Sequence, residues 1–267
     1  MNFTIPRKHA GSILSVAALT LLLAAPSHSH AQGGRGGGQR GPAPTPRAAA
    51  PIDLTGYWVS IVTDYWRVRM VTPVKGDPEA YDIVPLNAEG MRVAKNWDPA
   101  RDEAAGEQCK AYGAAGIMKM PTRLHITWEN DNTLHMDTDA GTQTRLFNFG
   151  GAPAQRGQPA WQGYSAALWD TGGARGGQNR TGQLKVVTTN MRPGYYFKHG
   201  LPYSGNAVQT EYFLRLPGPN GESLLVVTQV VEDPQYLTRP YFRTWQFKQE
   251  PDGSKWSPSP CKTDPPR

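Results

Sequence analysis

No apolar run in this chain of 267 residues reaches the ~18–20 residues that a helix needs to cross a bilayer. The longest, from Ile13 to Ala25, follows Arg7 and Lys8 and precedes the small residues Ser29 and Ala31. That charged, apolar and small-residue order is expected of a secretory signal peptide over residues 1–31, cleaved after Ala31. Cysteine is equally scarce. Neither Cys109 nor Cys261 sits near the cleavage point, which argues against a lipid anchor, and neither lies in a Cys-x-x-Cys-His haem signature or a zinc spacing. In an oxidising compartment such a pair is expected to form a structural disulfide. The bridge would tie the C-terminal SPSPC to the segment before the first hairpin, a gain on the order of 4 kcal/mol from loop-closure entropy. The chain therefore reads as periplasmic or secreted, with no membrane span.

Signatures of covalent and phosphate chemistry are missing too. GYSAA (Gly163–Ala167) lacks the second glycine of a nucleophile elbow, and no glycine-rich loop ends in Lys-Ser/Thr. The formal charge of +6 misleads, because Arg7, Lys8, Arg35, Arg40 and Arg47 precede residue 48 without one Asp or Glu. The other 23 basic residues face 22 acidic ones, so no nucleic-acid partner is expected. Residues 32–51 include GGRGGGQRG, which resembles an arginine-glycine box. They carry almost no apolar side chains and read as a flexible Gly/Pro/Arg/Ala-rich linker. Residues 52–267 are left to form a single domain.

Short β-rich segments dominate that domain. DLTGYWVSIV (Asp53–Val62) reads as a strand, and the alternation in WRVRMV (Trp66–Val71) suggests a second one that pairs with it or continues it. Asn87 caps an expected helix over NAEGMRVAKNW, and DPARDEAAGEQC adds a second helical stretch. Strands are then expected at 122–129, 133–139, 143–149, 161–169, 184–190, 207–215, 223–231 and 241–249, mostly joined by Gly, Pro, Asn or Asp turns. A glycine-rich hairpin tip is expected over Asp170–Gln183. The fold class is mainly β: an antiparallel up-and-down, lipocalin-like barrel with a short helical insertion before the first barrel hairpin.

Within PTRLHITWENDNTLHMDTDAGTQTR, keeping Leu124, Ile126 and Trp128 on the same side as Leu134 and Met136 places His125 opposite Asp137 and Thr127 opposite His135. A three-residue turn at Ala140–Thr142 would then set Asp137 opposite Arg145. The expectation is a row His125–Asp137–Arg145 with His135 one step along, its side chains within reach of one another. Three readings stay open: a solvated face, a polar cluster orienting a ligand at a barrel mouth, or a catalytic site. In the last, His125, His135, Asp137 and Arg145 would supply acid–base chemistry. No metal is favoured and no cofactor is predicted, but His125, His135 and Asp137 could hold a divalent metal. Arg145 would oppose that cation. Expected ligand-binding residues are Tyr195, Tyr196, His199 and Tyr203, on an aromatic loop that either lids or plugs the barrel, and Glu211, a carboxylate among aromatic neighbours. The tryptophans, among them Trp58, Trp128, Trp161, Trp169 and Trp245, read as core, and EDPQYLTRPYF as a rigid connection.

DLTGYW, LNAEG, WDPAR, EQCKAYG, the MP-x-R-L-x-I strand with its D-x-D-A-G turn and Arg145, WQGYS, PYSGNAVQTEYF and VEDPQYLTRPYF together resemble an uncharacterised group of exported β-rich bacterial proteins, many from soil bacteria. The resemblance covers most of residues 53–261 and implies no particular reaction. Gly56-Tyr57-Trp58 is also similar to the Gly-x-Trp opening of lipocalins, barrels for small apolar ligands, although the helical insertion and the glycine-rich loop depart from that plan. The functional expectation is an exported barrel that binds a small, partly apolar molecule. The alternatives are a periplasmic hydrolase, lyase or isomerase acting on a carbohydrate or aromatic compound through the His/Asp/Arg set, and a cell-envelope interaction module.

Overall fold

A computed structural model describes residues 42–151, 157–172 and 182–263. The expected signal peptide, most of the expected linker and the tip of the glycine-rich hairpin lie outside the described residues. The compact unit that holds the barrel begins at Ala43. It takes in the end of the expected linker: Arg47 N donates to Asp131 O, and Trp169 Nε1 donates to Pro46 O at 2.7 Å.

β1 (Gly56–Ile61) leads into a helical stretch formed by α1 (Trp66–Met70), α2 (Pro78–Tyr81), α3 (Ala88–Lys95), α4 (Pro99–Ala104) and α5 (Ala114–Ile117). Then follow β2 (Arg123–Asn130), β3 (Thr133–Thr138), β4 (Gln143–Phe149), β5 (Tyr164–Asp170) and β6 (Gln183–Thr189). A small hairpin, β7 (Gly194–Phe197) and β8 (Leu201–Tyr203), precedes β9 (Val208–Pro217), β10 (Ser223–Glu232) and β11 (Tyr241–Glu250). β1, β11, β10, β9, β6, β5, β4, β3 and β2 close, in that order, into a nine-stranded barrel. Nine is odd, so alternating strand directions cannot close without one parallel neighbour pair. That pair is β4–β5, joined over only three positions: Phe147–Ser165, Asn148–Ala166 and Phe149–Ala167. The parallel seam and the inserted β7–β8 hairpin are departures from a plain up-and-down plan.

The expected helix after Asn87 forms with the expected cap: the Asn87 side chain accepts from Gly90 N at 2.9 Å, satisfying one of the free amides of the first turn. WRVRMV is not a strand. Val68 and Arg69, adjacent in sequence, are both buried while Trp66 and Met70 are exposed, a pattern that a helix can present and a strand cannot.

The β2–β3 register is as the apolar pattern demands, with His125 opposite Asp137 and Thr127 opposite His135. The β3–β4 register is one residue away from expectation: Met136 faces Arg145, and Asp137 faces Thr144. Asp139 explains the slip. Its carboxylate accepts from Thr122 Oγ1 at 3.0 Å and Arg123 N at 2.7 Å, and its carbonyl accepts from Ser259 N, so it leaves the β4 ladder. Gly141 (φ +74°) and Thr142 (φ +48°) then turn the chain in left-handed geometry. A Cβ on Gly141 would fall 2.2 Å from the Tyr112 ring. The slip turns Arg145, Phe147 and Phe149 inward and leaves Leu146 outside.

The barrel is full. Trp58, Leu124, Ile126, Met136, Phe147, Phe213, Val227 and Phe247 fill its interior with no surface exposed to the outside or to any water-sized void. A barrel of this strand number is just wide enough for side chains to occupy it.

Candidate functional site

Inside the apolar packing lies a buried polar layer. Arg145 Nη1 and Nη2 donate to Glu211 Oε1 and Oε2 at 3.1 and 2.5 Å, both side chains fully buried. Nη2 also reaches Thr188 Oγ1 at 3.2 Å, and that hydroxyl is 2.8 Å from Ser165 Oγ. Towards the helical end, Gln229 Nε2 donates to Gln209 Oε1 at 2.9 Å, and Lys119 Nζ donates to Gln229 Oε1 at 2.7 Å. This layer is satisfied mainly by itself, as buried polar groups require.

The expected four-residue row is split. His125, His135 and Asp137 stay on the outer face, half-buried, while Arg145 is in the lumen and pairs with Glu211. The cause is the one-residue shift at Asp139. On the outside, His135 Nε2 lies 2.8 Å from Asp137 Oδ1, and Thr144 Oγ1 donates to the same oxygen at 2.5 Å. His125 instead stacks flat on Tyr57, ring centroids 4.1 Å apart, with Trp256 edge-on to both. Among the described residues, no three His, Cys, Asp or Glu side chains converge in a way that could hold a metal ion.

The aromatic loop plugs the barrel end. Tyr196 and Tyr203 are buried with centroids 5.6 Å apart, and Tyr241 joins them 5.2 Å from Tyr196. Burial pushes the Tyr196 and Tyr203 phenols up, so they stay protonated. Tyr195 is half-buried and donates to Asp102 Oδ2 at 2.8 Å, and its phenol is likewise raised by burial and by that carboxylate. His199 Nε2 donates to Ala80 O at 2.9 Å, and burial pushes its pKa down to about 4. All five expected ligand-facing residues thus make contacts within the protein, and four of them, Tyr196, His199, Tyr203 and Glu211, are buried.

Outside, over the β4–β5 seam, lies an opening. Gln143 to Leu146 lie beyond the three-residue parallel ladder, where the chain before β5 diverges from β4. The divergence leaves a groove of about 420 Å³ lined by Gln143, Leu146, Asn148, Trp161, Gln162 and Tyr164 among others. Among the described residues, no Asp, Glu, Lys, Arg or His side chain lines it. Trp161 is held by the Arg192 guanidinium 4.0 Å above its ring and by its own carbonyl, which accepts from Ala114 N. Gln162 Nε2 donates to Tyr112 O at 2.7 Å and to Gln143 Oε1 at 3.0 Å, while Gln162 Oε1 is buried without a partner in the protein.

Behind the groove is the Cys109–Cys261 disulfide, formed as expected. Gln143 Nε2 donates to Gly141 O at 2.6 Å and sits 3.5 Å from Cys261 Sγ. Thr144 both lines the groove and holds Asp137, so the His135–Asp137 pair stands at its rim. Sequence reasoning passed over this site because its determinant, a short parallel seam, is a property of closure rather than of any local pattern. WQGYS was the available signal, an aromatic and an amide at the mouth of a strand.

Comparison with protein-family models, with curated proteins and with solved structures finds no match to this chain.

Proposed function

We propose that the chain is an exported barrel that binds a small, neutral, partly apolar molecule in the external groove over the β4–β5 seam and not in its lumen. The observation that carries this reading is the contrast between the two spaces: the lumen is filled, while the groove is large enough for a small ligand and, among the described residues, is lined by no ionised side chain. Trp161, Tyr164 and Leu146 supply apolar surface, and the side-chain carbonyls of Gln143 and Asn148 supply acceptors, the amide nitrogens of Gln143, Gln162 and Asn148 being engaged within the protein. Apolar ring faces edged by hydroxyls fit such a lining, which points to short saccharides or aryl glycosides. Export rests on the charged-apolar-small order of residues 1–31 and agrees with the disulfide.

The test is a thermal-shift and tryptophan-fluorescence screen of mono-, di- and aryl glycosides on the wild-type chain and on Trp161→Ala. At least one compound should raise the melting temperature saturably in the wild type and lose that effect in the variant. A flat response across the panel, or a shift that Trp161→Ala leaves unchanged, overturns the reading.

A second, enzymatic reading is favoured by one observation, the His135–Asp137 contact at the groove rim. A carboxylate-oriented imidazole is a competent general base. If it acts on a bound glycoside, His135→Gln abolishes turnover and spares binding. Absence of turnover in the wild type removes this reading.

A further inference from the structure

On one wall of the barrel the usual polar-out alternation is inverted. β9 turns Gln209, Glu211 and Phe213 into the lumen and Val208, Tyr212, Leu214 and Leu216 outward. β10 is apolar on both faces: Leu225, Val227 and Val231 are fully buried, while Leu224, Val226 and Val230 point outward and are half-buried. A strand with one solvated face alternates, whereas a near-continuous apolar run such as SLLVVTQVV marks a strand covered on both sides. Among the described residues nothing supplies that cover, since Leu214, Leu216, Leu224, Val226 and Val230 neither join the core nor pack against it.

The strand registers join these side chains into one surface. Leu224 lies opposite Leu216 and Val226 opposite Leu214, and Val230 lies opposite Phe242 on β11, which is 56 % exposed. On the other flank Thr210 faces Val187 of β6, which faces Ala166 of β5, beside the 50 % exposed Leu168. Charge is kept to the margins or balanced. Lys185 sits over the Tyr212 ring and acts on Asp170, and Lys248 pairs with Glu222 at 2.5 Å. The opposite wall is built otherwise: β2 and β3 turn Arg123, His125, Glu129, His135 and Asp137 outward.

We infer that the β6–β9–β10–β11 wall is the contact face of a homodimer, with β9 and β10 at its centre because the wall is convex. Four strands at ~4.8 Å spacing and ten residues at ~3.4 Å rise outline roughly 650 Å² per copy, within the ~600–1,000 Å² per partner that stable interfaces bury. An apolar β-face fits its own kind, because two sheets pack face to face by interdigitating such side chains. A two-fold contact uses the same patch twice, so a charge at its centre would oppose its own copy. Thr210, Tyr212 and Thr228 occupy that centre and carry none. A bilayer-spanning barrel needs an apolar band all the way round, which Arg123, His135 and Asp137 deny. The inference does not rest on the groove.

The experiment is sedimentation velocity of the purified full chain over a concentration series. The wild type should sediment as a dimer at micromolar concentrations. Val226→Glu sets a carboxylate into the face and should raise the dissociation constant about a hundredfold. Thr127→Glu, on the opposite wall, should leave it unchanged. Because a carboxylate in a central strand can unfold the monomer, Thr228→Arg repeats the test at a half-buried hydroxyl, and far-UV circular dichroism checks that each variant is folded. Folded, monomeric Thr228→Arg beside a dimeric Thr127→Glu supports the face. A wild type that stays monomeric up to about 100 μM overturns it. So does a dimer that Thr228→Arg leaves intact, or a monomer that co-sediments with phosphatidylethanolamine–phosphatidylglycerol vesicles.

Discussion

The Arg145 guanidinium on β4 meets the Glu211 carboxylate on β9 through two hydrogen bonds, although β5 and β6 separate these strands around the barrel wall. The pair is a chord across the lumen. It joins the side of the barrel that carries the parallel seam to the long antiparallel side formed by β9, β10 and β11.

Removing one end of that chord strands the other in an apolar interior. Arg145→Met should lower stability by about 3–5 kcal/mol. Arg145→Met combined with Glu211→Leu should cost much less than the two single changes together. Urea unfolding of the four proteins of the cycle measures the coupling, and additive effects within about 0.5 kcal/mol would contradict it.

His199 should make the fold acid-sensitive. Its pKa is lowered to about 4 by burial, against about 6.5 in an unfolded chain. Above pH 6.5 both states are neutral and His199 contributes no slope. Between about pH 6.5 and 4 the unfolded chain binds a proton that the folded one refuses, so stability falls as pH falls, by up to about 3 kcal/mol. His199→Gln should flatten that part of the profile. Urea midpoints at pH 7 and pH 4.5 for both proteins decide it, and equal losses in the two would refute the assignment.

The disulfide should stabilise both the domain and one wall of the groove. Replacing Cys109 and Cys261 with Ala should cost about 4–5 kcal/mol by loop-closure entropy. Because Ser259 pairs with the Asp139–Thr142 turn and Cys261 lies against Gln143, loosening should begin there. Hydrogen exchange should accelerate over residues 139–143 and 259–263 while β9 and β10 stay protected. Uniform acceleration would show that the bridge acts only globally.

Asn87 caps α3 and also donates through Nδ2 to Gln235 O at 3.0 Å, tying the helix to the connection before β11. Asn87→Ala should cost about 1 kcal/mol and Asn87→Ser much less, since serine keeps the capping oxygen. Thermal melts should order the three proteins as wild type, then Asn87→Ser, then Asn87→Ala.

Local chemistry made most of the barrel legible. Leu124, Ile126 and Trp128 against Leu134 and Met136 admitted a single parity of pairing, and the β2–β3 register follows it. Asn87 announced a helix start that formed. Legibility ended where distant residues decided. Nothing near Asp139 in sequence says that Thr122, Arg123 and Ser259 will draw it out of the β4 ladder, yet that displacement moves Arg145 from the outer face to the lumen. In WRVRMV the alternation suggested a strand, but burial of Arg69 against Lys119 O, fifty residues later, favours a helix. The outer His135–Asp137 contact could be anticipated from β3 alone; the Arg145–Glu211 contact could not.

The oddness of the strand count has a lasting consequence. No point substitution can abolish the place where two neighbours run the same way; only gain or loss of a whole strand could. The seam is therefore pinned by geometry, while Thr144, Leu146, Asn148 and Tyr164 beside it look away from the packed interior. Substitutions can reshape and repolarise this cleft, residue by residue, without renegotiating how the barrel shuts.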